Sequence, residues 1–166
     1  SAATDMPTIV NQAKIVDPGS EWLSYGRTYR EQRFSPLNEI NRDNVDELDL
    51  AWSFKFDTAR GMEATPIVHN GVIYMSTGWS HVHALDARTG QELWHYDAEV
   101  PKAQLAKTCC GPVNRGVAIW QEDDSSTLQI FFDVLIGVGP EAGEVVGDLL
   151  RAEVGGKQVQ NNRYPP

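Results

Sequence analysis

The amino-acid sequence predicts an all-β fold whose clearest unit is a four-stranded antiparallel meander. Between Glu63 and Tyr96, short runs of β-favouring residues alternate with turn residues at close, even spacing. The turns carry the residues that tight reversals need: an Asn-Gly pair at 70–71 supplies positive φ, and Asp86-Ala87-Arg88-Thr89-Gly90 pairs a capping Asp with a Gly free to turn left-handed. Apolar runs such as Val117-Ala118-Ile119-Trp120 and Ile130-Phe131-Phe132 fall far below the roughly 20 residues a bilayer-spanning helix requires, so no membrane span is expected.

In chain order, residues 1–60 read as an N-terminal arm with one short helix and one outer strand. Residues 1–20 have neither a basic start nor a long apolar core, so any secretory signal has already been removed or never existed. At residues 40–48, Asn41 offers a helix N-cap followed by acidic residues, which favours a short helix. Leu50-Ala51-Trp52-Ser53-Phe54-Lys55-Phe56 alternates with period two and reads as a strand belonging to another sheet unit. Residues 61–120 hold the meander, with strands at 65–68, 72–77, 81–86 and 92–96 and a bend at Gly78-Trp79-Ser80. In the third strand Val82 and Ala84 mark one buried face. Residues 121–166 form a divergent or shortened remnant of the same unit. A polar run at 121–127 reads as a loop, Val134-Leu135-Ile136-Gly137 echoes Val72-Ile73-Tyr74, and Gly155-Gly156-Lys157-Gln158 echoes the 89–92 turn without its Asp or Trp.

Length and charge narrow the function. A chain of 166 residues suits one ordinary domain. Its 14 Lys plus Arg against 23 Asp plus Glu give a net charge of −9, which repels phosphate backbones and anionic lipid and argues against nucleic-acid binding.

The chemistry-bearing residues are few. Cys109 and Cys110, the chain's 2 cysteines, are neighbours. They could be two thiols, a metal pair or a vicinal disulfide. No further Cys and no zinc-like His spacing supports a structural metal there. A disulfide between neighbours is strained, because adjacent α-carbons lie about 3.8 Å apart while ordinary bridges want about 4.4 to 6.8 Å. It would also close almost no loop, so its use would be local. His81 and His83 alternate on one strand face and could clamp a metal, but no third ligand is evident from the sequence. Trp22, Trp52, Trp79, Trp94 and Trp120 read as core and docking residues rather than as an aromatic binding box.

Several of these stretches, in order, resemble one family. The segment Ala84-Leu85-Asp86-Ala87-Arg88-Thr89-Gly90-Gln91-Glu92-Leu93-Trp94 is similar to the tryptophan-docking motif of eight-bladed quinoprotein β-propellers. Trp22-Leu23-Ser24-Tyr25-Gly26-Arg27, Glu63-Ala64-Thr65-Pro66, and Cys109-Cys110 followed by Val113-Asn114-Arg115-Gly116 resemble the N-terminal part of quinoprotein alcohol dehydrogenases, the pyrroloquinoline quinone (PQQ) enzymes that oxidise methanol and ethanol. The resemblance runs from about Glu21 to Trp120 and weakens after it. It implies part of an eight-bladed propeller, incomplete in this chain, whose blades cover one another's faces.

The resemblance also implies roles. Cys109 and Cys110 match a vicinal disulfide that lies flat on the quinone. Glu63 matches a carboxylate at the cofactor's edge, and Arg115 an arginine near its carboxylate and quinone oxygens. Glu141, and after it Glu144, are the nearest counterparts of a ligand to a calcium or lanthanide ion, though a solvated loop carboxylate fits them better. In the family a primary alcohol gives up hydride to the quinone, an ion acts as Lewis acid, an aspartate acts as base and a cytochrome c takes the electrons. The counterparts of that aspartate and of most metal ligands lie further downstream than this chain extends, so no catalytic residue is assigned here. The rest of the propeller or another subunit would then be a partner, and the location periplasmic with the signal removed. The alternative is a non-enzymatic propeller-type scaffold that binds only protein, against which the Cys-Cys and Asn-Arg-Gly elements argue.

Overall fold

The computed structural model describes residues 12–103, 111–121, 127–135, 145–153 and 159–163. They form two four-stranded antiparallel meanders. The first has β1 (Ile67–His69), β2 (Val72–Ser76), β3 (Val82–Asp86) and β4 (Glu92–Tyr96); the second has β5 (Ala118–Gln121), β6 (Thr127–Leu135), β7 (Val145–Glu153) and β8 (Val159–Arg163). β5 spans the boundary expected after Trp120.

The turn chemistry acts as read. Asn70 and Gly71 take φ of 48° and 73° between β1 and β2, the mirror-type reversal whose twist suits a hairpin. At the β3–β4 turn Asp86 Oδ1 accepts from the amides of Arg88 and Thr89 and from the Thr89 hydroxyl, at 3.0, 2.8 and 2.9 Å. Those bonds hold the Asp86 carboxyl below its usual range.

The two sheets share one core. Ile67, Tyr74, Val82 and Ala84 of the first meet Ile119, Leu128, Ile130 and Phe132 of the second, and Tyr96 meets Phe132 edge to face at 5.7 Å. A helix, α1 (Gln12–Val16), which the sequence pattern did not announce, contributes Ile15 to the same core. Burial pushes the Tyr74 phenol up to about 12, with the Glu21 carboxylate adding to it. No described helix is long and apolar enough to cross a membrane.

Two expectations for the arm need correction. The helix at 40–48 is a single 3-10 turn, Val45–Glu47, and Asn44 rather than Asn41 stands at its start without a side-chain cap. Asn41 and Asn44 instead bond each other locally, the Asn41 amide donating to Asn44 Oδ1 at 2.8 Å, which competes with helix propagation. The strand expected at 50–56 has the alternation, with Trp52, Phe54 and Phe56 turned inward, but is not assigned as a strand. Alternation reports a buried face, whereas a strand also needs a hydrogen-bonding neighbour.

The arm is tied to β1 by a bridge between Trp22 and Val68 and by Glu21. His69, only 1% exposed, places Nδ1 at 2.5 Å from Glu21 Oε2, and the Asn70 amide donates to Oε1 at 2.8 Å. Burial alone would raise the Glu21 pKa, but the bonds from His69 and Asn70 and the charges of His69 and Lys14 outweigh it and leave the pKa below its ordinary 4.5. A depressed carboxylate contributes stability above its unfolded pKa and loses it as the pH falls through the folded value. Urea titrations should therefore show stability falling on acidification below about pH 4.5. Glu21→Gln should flatten that slope and cost about 1–2 kcal/mol at neutral pH; an unchanged acid limb would refute the assignment.

Candidate functional site

The residues around the entry to β1 and the approach to β5 converge on one surface. Glu63 precedes β1 and Arg115 precedes β5, 52 positions apart in sequence, yet Arg115 Nε lies 3.5 Å from Glu63 Oε2. Their side chains are 69% and 46% exposed. So open a pair stabilises the fold by at most about 1 kcal/mol, which leaves both groups available to a ligand.

What holds Arg115 in place is its backbone. Gly111 takes a φ of 86° and Gly116 one of 143°, conformations that favour residues without a Cβ. Between them the Pro112 carbonyl accepts from the Trp79 amide at 2.8 Å. The buried Asn114 side chain accepts from the Ser76 hydroxyl at 2.5 Å and from the Gly116 amide at 3.1 Å, and donates to Ser80 at 3.4 Å. Trp79 and Ser80 themselves have φ of 67° and 57°. The bend between β2 and β3 is therefore shaped to receive residues 111–116.

Arg60, which the sequence reading did not single out, joins this surface. A Cβ on Gly111 would come within 3.4 Å of Arg60 Nη1, and the guanidinium carbon lies 5.8 Å from the Trp79 ring centre. An arginine in irregular chain carries no sequence signal; only its placement over Gly78 and Gly111 distinguishes it. Arg60 thus lies at the start of the segment that follows the two cysteines, and the Arg115–Glu63 pair lies towards its end. Cys109 and Cys110 themselves, and Glu141 and Glu144, lie outside the described residues.

The histidines require a correction. His95 on β4 stands opposite His83 on β3, and His81, His83 and His95 bring their ring nitrogens within 4.8 Å of one another. His95 is therefore a candidate third ligand for the His81–His83 pair. The reason it was not evident is a register shift: Ala84 pairs with Trp94 but Leu85 pairs with Glu92, so Leu93 is an extra residue. Such a bulge reverses which side chains share a face beyond it. Burial holds the His83 imidazole below the ordinary histidine pKa, with the Glu92 hydrogen bond working against it.

The tryptophans divide. Trp52 packs on Gly90 and donates from its indole nitrogen to the Ala87 carbonyl at 3.2 Å, which is a docking contact onto the β3–β4 turn. Trp94 is half-buried beside Tyr74 at 6.1 Å. Trp120 is not a core residue: it is 38% exposed, on an apolar groove of about 710 Å³ that it shares with Ile15, Tyr29 and Phe131.

Comparison with known proteins shows the family. The family described as the β-propeller domain of PQQ glucose/ethanol/alcohol dehydrogenases matches residues 22–145. The chain is 59% identical over 102 residues to the quinohemoprotein alcohol dehydrogenase ADH IIB of Pseudomonas putida, a match covering 61% of this chain and 15% of that protein. It is 54% identical over 119 residues to the dehydrogenase subunit of the quinone alcohol dehydrogenase of Gluconobacter oxydans, covering 72% of this chain and 16% of that one. Among solved structures, the quinohemoprotein alcohol dehydrogenase ADHIIG of Pseudomonas putida HK5 superposes with a TM-score of 0.67 at 34% identity, covering 93% of this chain and 28% of its own. The quinohemoprotein alcohol dehydrogenase of Comamonas testosteroni gives 0.67 at 28% identity, covering 90% and 28%. The chain thus spans 15% and 16% of the length of the two sequence relatives named.

Proposed function

We infer from the β-propeller family of PQQ-dependent glucose, ethanol and alcohol dehydrogenases, to which this chain belongs, that it forms one wall of a pyrroloquinoline quinone site. The enzyme so completed is a periplasmic alcohol dehydrogenase that oxidises primary alcohols to aldehydes and passes electrons to a cytochrome c. The observation that carries this reading is the convergence of Glu63, Arg115 and Arg60 on the Gly111–Gly116 segment.

The donor set fits such a group. PQQ is planar and a tricarboxylate, and guanidinium forks match carboxylates two bonds at a time. Arg115 would bind the acidic edge, Arg60 would add positive charge from the Gly111 side, and Glu63 would orient Arg115 and accept from a ring N–H. Cys109 and Cys110, as a vicinal disulfide, would offer the ring an uncharged face, and Glu141 would be a ligand for calcium or a lanthanide ion. When bound, the cofactor supplies a two-electron acceptor that protein side chains lack. The scaffold alternative is not favoured, because a protein-binding surface gains nothing from a paired guanidinium and carboxylate beside adjacent cysteines.

Equilibrium dialysis of the purified chain against PQQ and calcium chloride tests the edge contacts. Arg115→Ala should weaken retention at least about tenfold, the loss expected for a charge-assisted hydrogen bond; equal retention by the variant would remove Arg115 from the site. Intact mass after alkylation without reductant should be unchanged and should rise by two adducts after reduction. Alkylation of both cysteines without reductant rules out the plate. With calcium and an alcohol, the chain alone should reduce no dye, since no general base is assigned within it.

A further inference from the structure

The blade carries a cluster that the quinone site does not use. His83 on β3 faces His95 on β4 across the sheet, with ring centres 4.5 Å apart and planes 1° from parallel. His81 stacks on His95 at 5.2 Å, and its Nδ1 lies 3.0 Å from His95 Nε2. The cluster has carboxylates on two sides. Glu92 Oε1 lies 2.8 Å from His83 Nδ1, and Asp97 Oδ1 lies 3.4 Å from His81 Nε2. Phe56 and Phe54 close another side, their rings 4.8 and 6.2 Å from the His83 ring.

We propose that His81, His83 and His95 form a binding site for one borderline divalent transition-metal ion, of which zinc is the type, with a water as the fourth ligand and Asp97, on the far nitrogen of His81, as an outer partner. The chemistry of the donors selects the ion: imidazole nitrogens suit zinc, copper, nickel and cobalt, whereas calcium and magnesium want an all-oxygen shell. Tetrahedral zinc with bonds of about 2.0–2.1 Å places its nitrogens about 3.4 Å apart. The His81–His95 pair is at 3.0 Å and all three fall within 4.8 Å of one another, within reach of that spacing by small side-chain rotations. Glu92 supplies the outer partner such sites use: by accepting from His83 Nδ1–H it fixes the tautomer that turns Nε2 toward the ion. The buried His83 is braced by the two phenylalanines, and the exposed ligand is His95, so the site is built on one side and open on the other. Bound there, the ion clamps β4 to β3 across the bulge at Leu93, where the ladder is interrupted.

The full chain, stripped with EDTA and titrated with zinc chloride and separately with cobalt chloride, tests this. One equivalent of zinc per chain should survive dialysis by elemental analysis. Zinc should raise the melting temperature where calcium does not. Bound cobalt should give the intense visible bands of a four-coordinate nitrogen and oxygen shell without a thiolate charge-transfer band. His95→Gln and His81→Gln, at positions open enough to leave folding intact, should each weaken zinc binding by well over tenfold. Glu92→Gln should weaken it about tenfold through His83 alone. The Cys109→Ser, Cys110→Ser double variant should bind as before. Zinc affinity unchanged by His95→Gln, or lost with the cysteines, overturns the assignment, as does a chain that retains no zinc.

Discussion

Gly90→Ala is expected to destabilise the chain by about 2–5 kcal/mol. Two independent costs meet at this position. Gly90 has a φ of 71°, and a residue with a Cβ there costs about 1–2 kcal/mol. The added methyl would also stand 2.4 Å from Trp52 Cε3 and 2.5 Å from Cδ2, a distance that no packed pair tolerates, so the indole must leave the turn. Overpacking of that kind costs about 1–3 kcal/mol more, and displacement breaks the Trp52 bond to the Ala87 carbonyl. Urea unfolding followed by tryptophan fluorescence measures the loss. The cycle with Trp52→Ala separates the terms: the double variant should be less destabilised than the sum of the singles by the steric part. A Gly90→Ala cost below about 1 kcal/mol would show that Trp52 does not dock on this turn.

That contact shows why much of the fold was legible. The motif Asp86 to Trp94 specifies its own turn through local hydrogen bonds, and Asn70-Gly71 specifies its hairpin, so the β1–β4 meander follows from residues close in sequence. The strand expected at 50–56 illustrates the opposite case. Its period-two burial is written in Trp52, Phe54 and Phe56, but ladder pairing depends on a neighbour that local sequence does not encode. Register is hidden for a related reason: the bulge at Leu93 changes His95 from one face of β4 to the other, and one inserted residue has no signature of its own. Family resemblance singled out Glu63 and Arg115 separately, each as an expected cofactor contact; their pairing with each other is seen only in the structure. Arg60 was not, because its role comes from lying over two glycines, which is a property of three-dimensional packing.

Asn114→Ala should then have the second large effect, about 2–4 kcal/mol of stability, together with weaker quinone retention. Asn114 is 6% exposed, and Ser76, whose hydroxyl donates to it, is 0% exposed. Removing the amide takes from the Ser76 hydroxyl and the Gly116 amide the acceptor each now uses, and each such buried loss costs about 1–3 kcal/mol. The consequence reaches the surface because Arg115 is the next residue: with Gly116 unpinned, the guanidinium loses its fixed approach to Glu63. Stability and binding should therefore fall together in Asn114→Ala, whereas Arg115→Ala should reduce retention of PQQ while leaving the urea midpoint nearly unchanged, as the openness of its ion pair requires. Measured on the same protein, the two variants separate a positioning residue from a contacting one. Asn114→Ala retaining both stability and quinone would show that the bend between β2 and β3 does not position the wall.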